Sequence, residues 1–409
     1  MNEMDSPQKA ILCLADKVET AYAKQGYNES RFAQIAMECL AQFHDLDGIA
    51  AHELLSLCLT GSEDLGGIEA SDFSDLPIAA CRRRGFYIQV LVWTDGSTTI
   101  HQHGFSGAFR VVRGRSLHQK WSFDEKDGVN SRLRIGRATL ESVNEQVVGH
   151  VQQILPGGGL THAVFHLERP SISLVVRTYG EAWHGPQLLL RPPFFAIDGA
   201  ALANSRRNLI RYLGTLGDAL ERQTTSVLCE SLSQELLALC APELAERIGM
   251  RQFESHLEMR FGSPFSQMVA ATVEFERKFL AVHRLRSDVG ALELRKLLCI
   301  LGYAETPAQV LAESVRLGLV AESEMQRVWE LVERLLCYPE DVMRLGGTRL
   351  AELLPKMLDR QSNRRACSGS ELSSAASERD IRALERIQEF VQHSPVFIAL
   401  RNSAGTTEV

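Results

Sequence analysis

The sequence predicts an α+β chain in which an antiparallel β-sandwich or barrel lies between two helical regions. Three observations carry this. Apolar positions recur at helical spacing before about residue 76. A dense series of short β-branched and aromatic runs fills about 77 to 198. Helical spacing returns from 199 to the end. The expected regions are therefore 1–76, 77–198 and 199–409. With 409 residues the chain suits two or three structural units, at about 150 residues per domain.

In the first region Ile11, Leu12, Ala15 and Val18 recur at helical spacing, and a second such run covers residues 30–43. Residues 61–80 are rich in Gly, Ser and Asp and read as a loop ending near Pro77. The β region contains FYIQVLVW, TTIHQH, AFRVVRG, HQKWSF, HVQQIL, AVFHLE and SISLVVRT, separated by Gly, Asp and Asn turns. RPPFFAID closes it, because two prolines cannot continue a ladder. Beyond 200, Met268, Ala271, Phe275, Phe279 and Val282 form one apolar helical stripe. Thr306-Pro307-Ala308-Gln309 has the form of a capping box with proline at the first helical position. Gly302 and Gly318 fall where helix ends are expected. Residues 361–379 read as a flexible surface linker, followed by a last helix over about 380–393.

Composition narrows the function classes. The net charge of −7 offers nothing to recruit nucleic acid or an anionic membrane. No apolar stretch reaches the roughly 18 residues of a membrane span, and the N-terminus does not read as a signal peptide. The nine cysteines are scattered, without CxxC or Cys/His zinc spacing, as in free thiols of a reducing compartment. A cytoplasmic location is expected.

The histidines carry the chemistry. His101 and His103 are two apart on an apparent strand, so both point to one face, about 7 Å apart along the backbone. That spacing lets two imidazoles converge on one ion. Gly96 precedes the pair and Gly114 follows it. Further on, GHVQQILPGGGLTHAVFH leads through Gly149, Pro156 and Gly157 to His162.

These two segments resemble the two motifs of the cupin superfamily, whose fold is a double-stranded β-helix or jelly-roll barrel. RRRGFYIQVLVWTDGSTTIHQHGFSGAFRVVRG and GLTHAVFHLERPSISLVVRT are similar to its cysteine dioxygenase-like, thiol dioxygenase branch. The resemblance spans about residues 81–190 and leaves both helical regions aside. It implies that His101, His103 and His162 hold Fe(II), with positions open for substrate and O₂. Neutral imidazoles suit Fe, Ni, Cu or Zn, so residue type alone does not choose the metal. The general cupin glutamate has no counterpart, because Gly107 and Ala108 stand there. Ala108 also replaces the cysteine that animal cysteine dioxygenases crosslink to tyrosine. The family's Ser-x-His-x-Tyr array appears as Ser173, Val175 and Arg177, and His166 replaces the asparagine of the second motif. These departures bear on the substrate and leave the three histidines in place.

Strand alternation extends the site. If Ala108 faces the barrel interior, so does Arg110; if Ser173 does, so does Arg177. Inward arginines suit a carboxylate or phosphate; the alternative is that either turns outward and snorkels. Arg110, Arg177 and Ser173 are thus candidate substrate-binding residues. His166 lies four residues beyond His162, about 13 Å by strand rise, too far to share the ion. It is a candidate proton donor, and Arg177 and His166 are the candidate catalytic residues. His118, His150 and His184 read as ordinary polar residues, and Trp183 with His184 is a candidate for the barrel mouth.

The expected function is a mononuclear non-heme Fe(II)-dependent oxygenase or dioxygenase. Its substrate would be a small anion (an amino acid, thiol or carboxylate) and its cosubstrate O₂. Two alternatives stand beside it. One is a non-catalytic ligand sensor, with ALELRKLLCILGYAETPAQVLAESVRLGLV read as two helices and a turn. The other is a metalloenzyme without O₂ chemistry, such as an isomerase or decarboxylase. The expected partner is a small molecule, with no nucleic acid or membrane. The helical regions are candidates for a homodimer interface.

Overall fold

The computed structural model describes residues 7–54, 74–94, 98–180, 185–321, 324–338, 344–345, 348–358 and 378–401. Its contacts divide the chain into two units, Met1–Phe275 and Glu276–Val409. Most of the loop expected over 61–80 and nearly all of the linker expected over 361–379 lie outside the described residues.

The first unit opens with α1 (Pro7–Lys24) and α2 (Phe32–Ala41). Ile11, Leu14, Ala15, Val18 and Tyr22 form the buried stripe of α1, at the three- and four-residue spacing that one helix face requires. Eleven strands follow: β1 (Leu76–Arg83), β2 (Phe86–Trp93), β3 (His101–His103), β4 (Gly107–Arg113), β5 (Ser116–Gly128), β6 (Leu133–Gln146), β7 (Val151–Ile154), β8 (Gly157–His166), β9 (Ser171–Thr178), β10 (Leu188–Arg191) and β11 (Phe195–Asp198). They make a five-stranded sheet, β1-β2-β9-β4-β7, and a closed ring, β10-β11-β6-β5-β8-β3. Neighbouring strands in both pair antiparallel.

The five-stranded sheet is covered on both faces. One face carries Ile78, Ile88, Val90, Ala108, Val112, Leu174 and Val176, which share a core with α1 and α2. The other carries Leu91, Trp93, Phe109, Val111 and Val175, clustered with Phe105, Ile154 and Leu160. This explains why FYIQVLVW does not alternate and is apolar or aromatic apart from Gln89: every residue of β2 is buried. Fully burying each such side chain contributes about 1.5–3 kcal/mol.

Strand parity corrects one expectation. Ala108, Arg110 and Val112 share the helix-facing side of β4, so Arg110 does not face the barrel interior and is not a substrate-binding residue. Arg110 is 2% exposed and grips the N-terminal region. Its Nε donates to Asp47 Oδ1 at 2.9 Å, its Nη1 to the Leu40 carbonyl at 3.1 Å, and its Nη2 to Asp47 Oδ2. His44 Nδ1 lies 2.9 Å from Nη2. A buried guanidinium needs these partners, and the chain after α2 supplies them. Burial pushes the Asp47 carboxyl up, but the hydrogen bond and charge of Arg110 outweigh it and hold the group below the usual carboxylate range.

The helices after the strands are α3 (Gly199–Leu213), α4 (Asp218–Ser231), α5 (Gln234–Ile248), α6 (Met250–Phe261) and α7 (Ser263–Asp288). Asp198 caps α3, its Oδ1 accepting from Ala201 N at 3.0 Å. Leu133, Phe195 and Ile197 share one core with Leu237, Ala241, Phe253, Val269 and other residues of these helices. The first unit therefore runs to Phe275, past the last barrel strand. Within α7, Phe265, Val269 and Val273 are buried, while Met268, Ala271 and Phe275 of the expected stripe are half-buried.

The second unit contains α8 (Leu292–Tyr303), α9 (Pro307–Arg316), α10 (Met325–Cys337), a short hairpin of β12 (Arg344–Leu345) and β13 (Thr348–Arg349), α11 (Leu350–Leu358), α12 (Glu378–His393) and α13 (Ile398–Arg401). The expected capping box opens α9: Thr306 Oγ1 accepts from Gln309 N at 3.2 Å, and Gln309 Oε1 accepts from Thr306 N at 3.3 Å. The two-helix stretch considered for a sensor forms α8 and α9. Arg316, the one Lys or Arg of α9, is tied to Glu313. Fully buried Glu333 accepts from Arg349 Nη2 at 2.9 Å and Leu350 N at 3.0 Å. Among the described residues no helix is long and apolar enough to cross a membrane.

Asp47→Ala leaves the Arg110 charge buried without its anion and is expected to lower stability by about 3 kcal/mol in urea unfolding. Adding Arg110→Met is expected to recover part of that loss. Metal content should be unchanged in both variants, because the clamp lies on the far side of the sheet from the histidines.

Candidate metal centre

His101 and His162 are Cα partners across β3 and β8, and a register shift follows between His101 and His103. That irregularity lets three imidazoles from two short segments converge. Their candidate ligand atoms all lie within 4.8 Å of one another. His101, His103 and His162 are at most 3% exposed. Ring centroids are 4.7 Å apart for His101–His103 and His101–His162, and 5.0 Å for His103–His162.

Hydrogen bonding sets which nitrogen each ring presents. His101 Nδ1 lies 2.8 Å from the Thr99 carbonyl. A carbonyl only accepts, so Nδ1 carries the proton and Nε2 keeps its lone pair. His162 Nδ1 lies 2.7 Å from His118 Nε2, and His162 Nε2 lies 2.9 Å from His103 Nε2. When His162 Nδ1 donates to His118, His162 Nε2 presents its lone pair to His103 Nε2; the contact is a hydrogen bond when His103 carries its proton on Nε2 and a pair of facing lone pairs when it carries it on Nδ1. In the second tautomer the facing lone pairs suit a divalent cation, so the donor set fits a metal.

The rings are also in the right charge state. Burial pushes His101 down to about 4, with the Thr99 hydrogen bond pulling weakly the other way. Burial, with smaller contributions from neighbouring positive charge, holds His103 and His162 well below the usual histidine range. His118 is likewise lowered to about 4 by burial. All four are neutral at pH 7, as ligands and their supports must be.

Gly107 explains the missing carboxylate. A Cβ there would lie 2.3 Å from the Val176 carbonyl oxygen, so no side chain fits between β4 and β9 at this point.

A cavity between the two sheets borders the histidines. It holds about 520 Å³ of atom-free space, counting its opening to solvent. His103 and His162 line it, as do Arg177, Ser173 and His166 of the sequence reading. The Arg177 guanidinium lies 3.3 Å over the Phe105 ring and 5.3 Å over Tyr87, a cation–π clamp beside His103. His103 feels that charge directly. His166 stacks on Trp93 at 4.7 Å. Phe105 and Phe109 pack at 4.8 Å from His103 and 6.3 Å from His162, shielding the rings from water.

Sequence reasoning missed His118, which it placed among ordinary polar residues. The available signal was pairing: β5 runs beside β8, so a histidine on β5 can back one on β8. Gln146, Ser116 and Trp93 were also missed as cavity residues. Trp183 and His184 lie outside the described residues.

No family model matches the chain, and no curated protein matches it. Among solved structures, a chain from the crystal structures of the DMSP lyases RdDddP and RnDddQII is 18% identical, with a TM-score of 0.17; the match covers 25% of this chain and 42% of that one. Hydroquinone 1,2-dioxygenase PnpCD in complex with Fe3+ is 14% identical, covering 28% of this chain and 30% of that one, with a TM-score of 0.19. Hydroquinone 1,2-dioxygenase from Sphingomonas sp. TTNP3 with 4-hydroxybenzoate bound is 13% identical over the same shares, with a TM-score of 0.18. The chain thus spans less than half the length of each, and at these scores the matches support no functional conclusion.

The buried rings give a pH prediction for the metal-free protein. Their folded pKa values lie below the ordinary 6.5, so the unfolded chain binds more protons between pH 6.5 and about 4. Stability is fully present above about pH 6.5 and falls as pH drops through that window. Urea unfolding of chelator-treated protein from pH 7 to 5 should show this fall, with a shallower slope in His118→Gln. Equal slopes in the two proteins would mean that His118 is already charged in the fold.

Proposed function

We propose that the chain is a cupin-type mononuclear metalloenzyme, an Fe(II)-dependent dioxygenase or oxygenase acting on a small anionic substrate. The observation that carries this is the convergence of three buried, neutral imidazoles, two of which line a cavity that also holds Arg177.

His101, His103 and His162 would hold the ion. As three neutral ligands they leave its charge uncompensated, which favours an anionic substrate beside it. When bound, iron supplies Lewis acidity and the electrons that activate O₂ as cosubstrate.

The remaining work falls to the chain's own side chains. Arg177 offers a planar fork to a carboxylate, and its stacking on Phe105 and Tyr87 holds that fork in place before substrate arrives. Phe105 and Phe109 exclude water from the metal face. Ser173 contributes a hydroxyl to the cavity wall. His166 is the group that would hold or move a proton at a substrate atom away from the ion, because Trp93 fixes its ring and strand rise separates it from His162 by about 13 Å.

Anaerobically purified wild type is expected to contain about one iron per chain, as a mononuclear site requires. His101→Ala and His162→Ala should lose it. Protein that neither contains metal nor takes up Fe(II) on reconstitution would sink this reading. Iron-loaded protein should consume O₂ with some member of a panel of amino acids, thiols and small carboxylates; turnover of a panel member without O₂ uptake would move the assignment to isomerase or decarboxylase chemistry. Arg177→Met should raise KM for the active substrate by about 10- to 100-fold, as loss of a charge-assisted pair implies.

A further inference from the structure

The cavity has two chemically different ends. Arg177 is the one charged residue among the described residues lining it, and it stands beside His103. The opposite end is polar but uncharged. There Gln146, Ser116 and His166 form a row across three neighbouring strands: Ser116 is the Cα partner of Gln146 on β6 and of His166 on β8. They are 1%, 2% and 4% exposed. Trp93 reaches across from the other sheet to stack on His166, and Ser173 lines the same cavity at 9% exposure.

The glutamine oxygen in this row is unexplained by the fold. Gln146 Oε1 is buried and has no hydrogen-bond partner among the described residues. A buried acceptor left unsatisfied costs about 1–3 kcal/mol, and the sheet ladder, which uses backbone groups, does not require a glutamine side chain at the end of β6. A ligand in the cavity would satisfy it.

We infer that this end of the cavity is a second substrate subsite, in which Gln146 Oε1 accepts a hydrogen bond from an uncharged O–H or N–H group of the substrate. The inference rests on the reading of Arg177 as the anion anchor and names the other half of the molecule. Four residues separate Ser173 from Arg177 on β9 and His162 from His166 on β8, so the two ends lie on the order of 10 Å apart. The substrate class is therefore a small bifunctional acid: a carboxylate at one end and a neutral hydroxyl, amide or similar donor at the other. A cationic terminus is disfavoured, because among the described residues no carboxylate lines the cavity to meet it.

The test uses full-length metal-loaded protein and isosteric probes. Binding of 6-hydroxyhexanoate is compared with that of heptanoate by calorimetry, together with the homologous pairs one and two carbons shorter or longer. Wild type should favour the hydroxy acid by about tenfold or more at the length that fits, because the analogue leaves Gln146 unsatisfied. Gln146→Leu should abolish or reverse that preference while retaining heptanoate affinity. Gln146→Glu should shift preference towards 6-aminohexanoate, a gain that misfolding does not produce. Arg177→Met should weaken both members of each pair alike. Equal affinity for both members at every length in wild type overturns the subsite and leaves the anion anchor standing. No binding of any probe overturns the anchor and the subsite with it.

Discussion

The architecture depends on the requirement that the five-stranded sheet be covered on both faces. Helices α1 and α2 cover one side and the ring of strands covers the other, so the sheet carries an apolar cluster on each face. The same requirement sorts the polar residues. On β4, Phe109 and Val111 point to the cavity, while Arg110 points into the helical layer, where Asp47 and the Leu40 carbonyl neutralise and solvate it. On β9, Ser173, Val175 and Arg177 take the cavity side. Two arginines on strands of one sheet thus have opposite uses, structural for Arg110 and ligand-facing for Arg177.

Burial then sets the chemistry of the histidines. Imidazoles placed between two apolar sheets stay neutral because the charged form is poorly solvated there. Neutral rings are costly unless their nitrogens are used. The Thr99 carbonyl takes up one nitrogen of His101, and His118 contacts one nitrogen of His162. The remaining nitrogens are turned towards one another, an arrangement that a divalent cation stabilises. The metal reading thus stands on orientation as well as proximity.

Much of this was legible before any coordinates. HxH on a short strand implies two rings on one side, and a glycine- and proline-led return to His162 supplies a third. Their convergence follows from pairing β3 with β8. The capping box of α9 was equally plain, because it is a local pattern satisfied by neighbours within four residues. Arg110 was not legible: Ala108 and Arg110 share a face by alternation, but alternation does not say which face is the inside. In a sheet apolar on both sides, that information is absent from the strand itself. His118, Gln146 and Ser116 were hidden for a related reason. Each gains its role from the strand beside it, and register between strands distant in sequence is a property of the assembled sheet.

The sequence by itself therefore determined the order of helical and β regions, the candidate ligand triad and two candidate arginines, Arg110 and Arg177, of undecided direction. These depend on periodicity and on residue types at short spacing, which the chain carries locally. Only the tertiary structure decided which arginine meets the cavity, which histidine supports His162 and which glutamine carries a buried, unsatisfied oxygen. Those outcomes depend on which surfaces are covered and by what, and burial is defined only once the two sheets and the helices have packed.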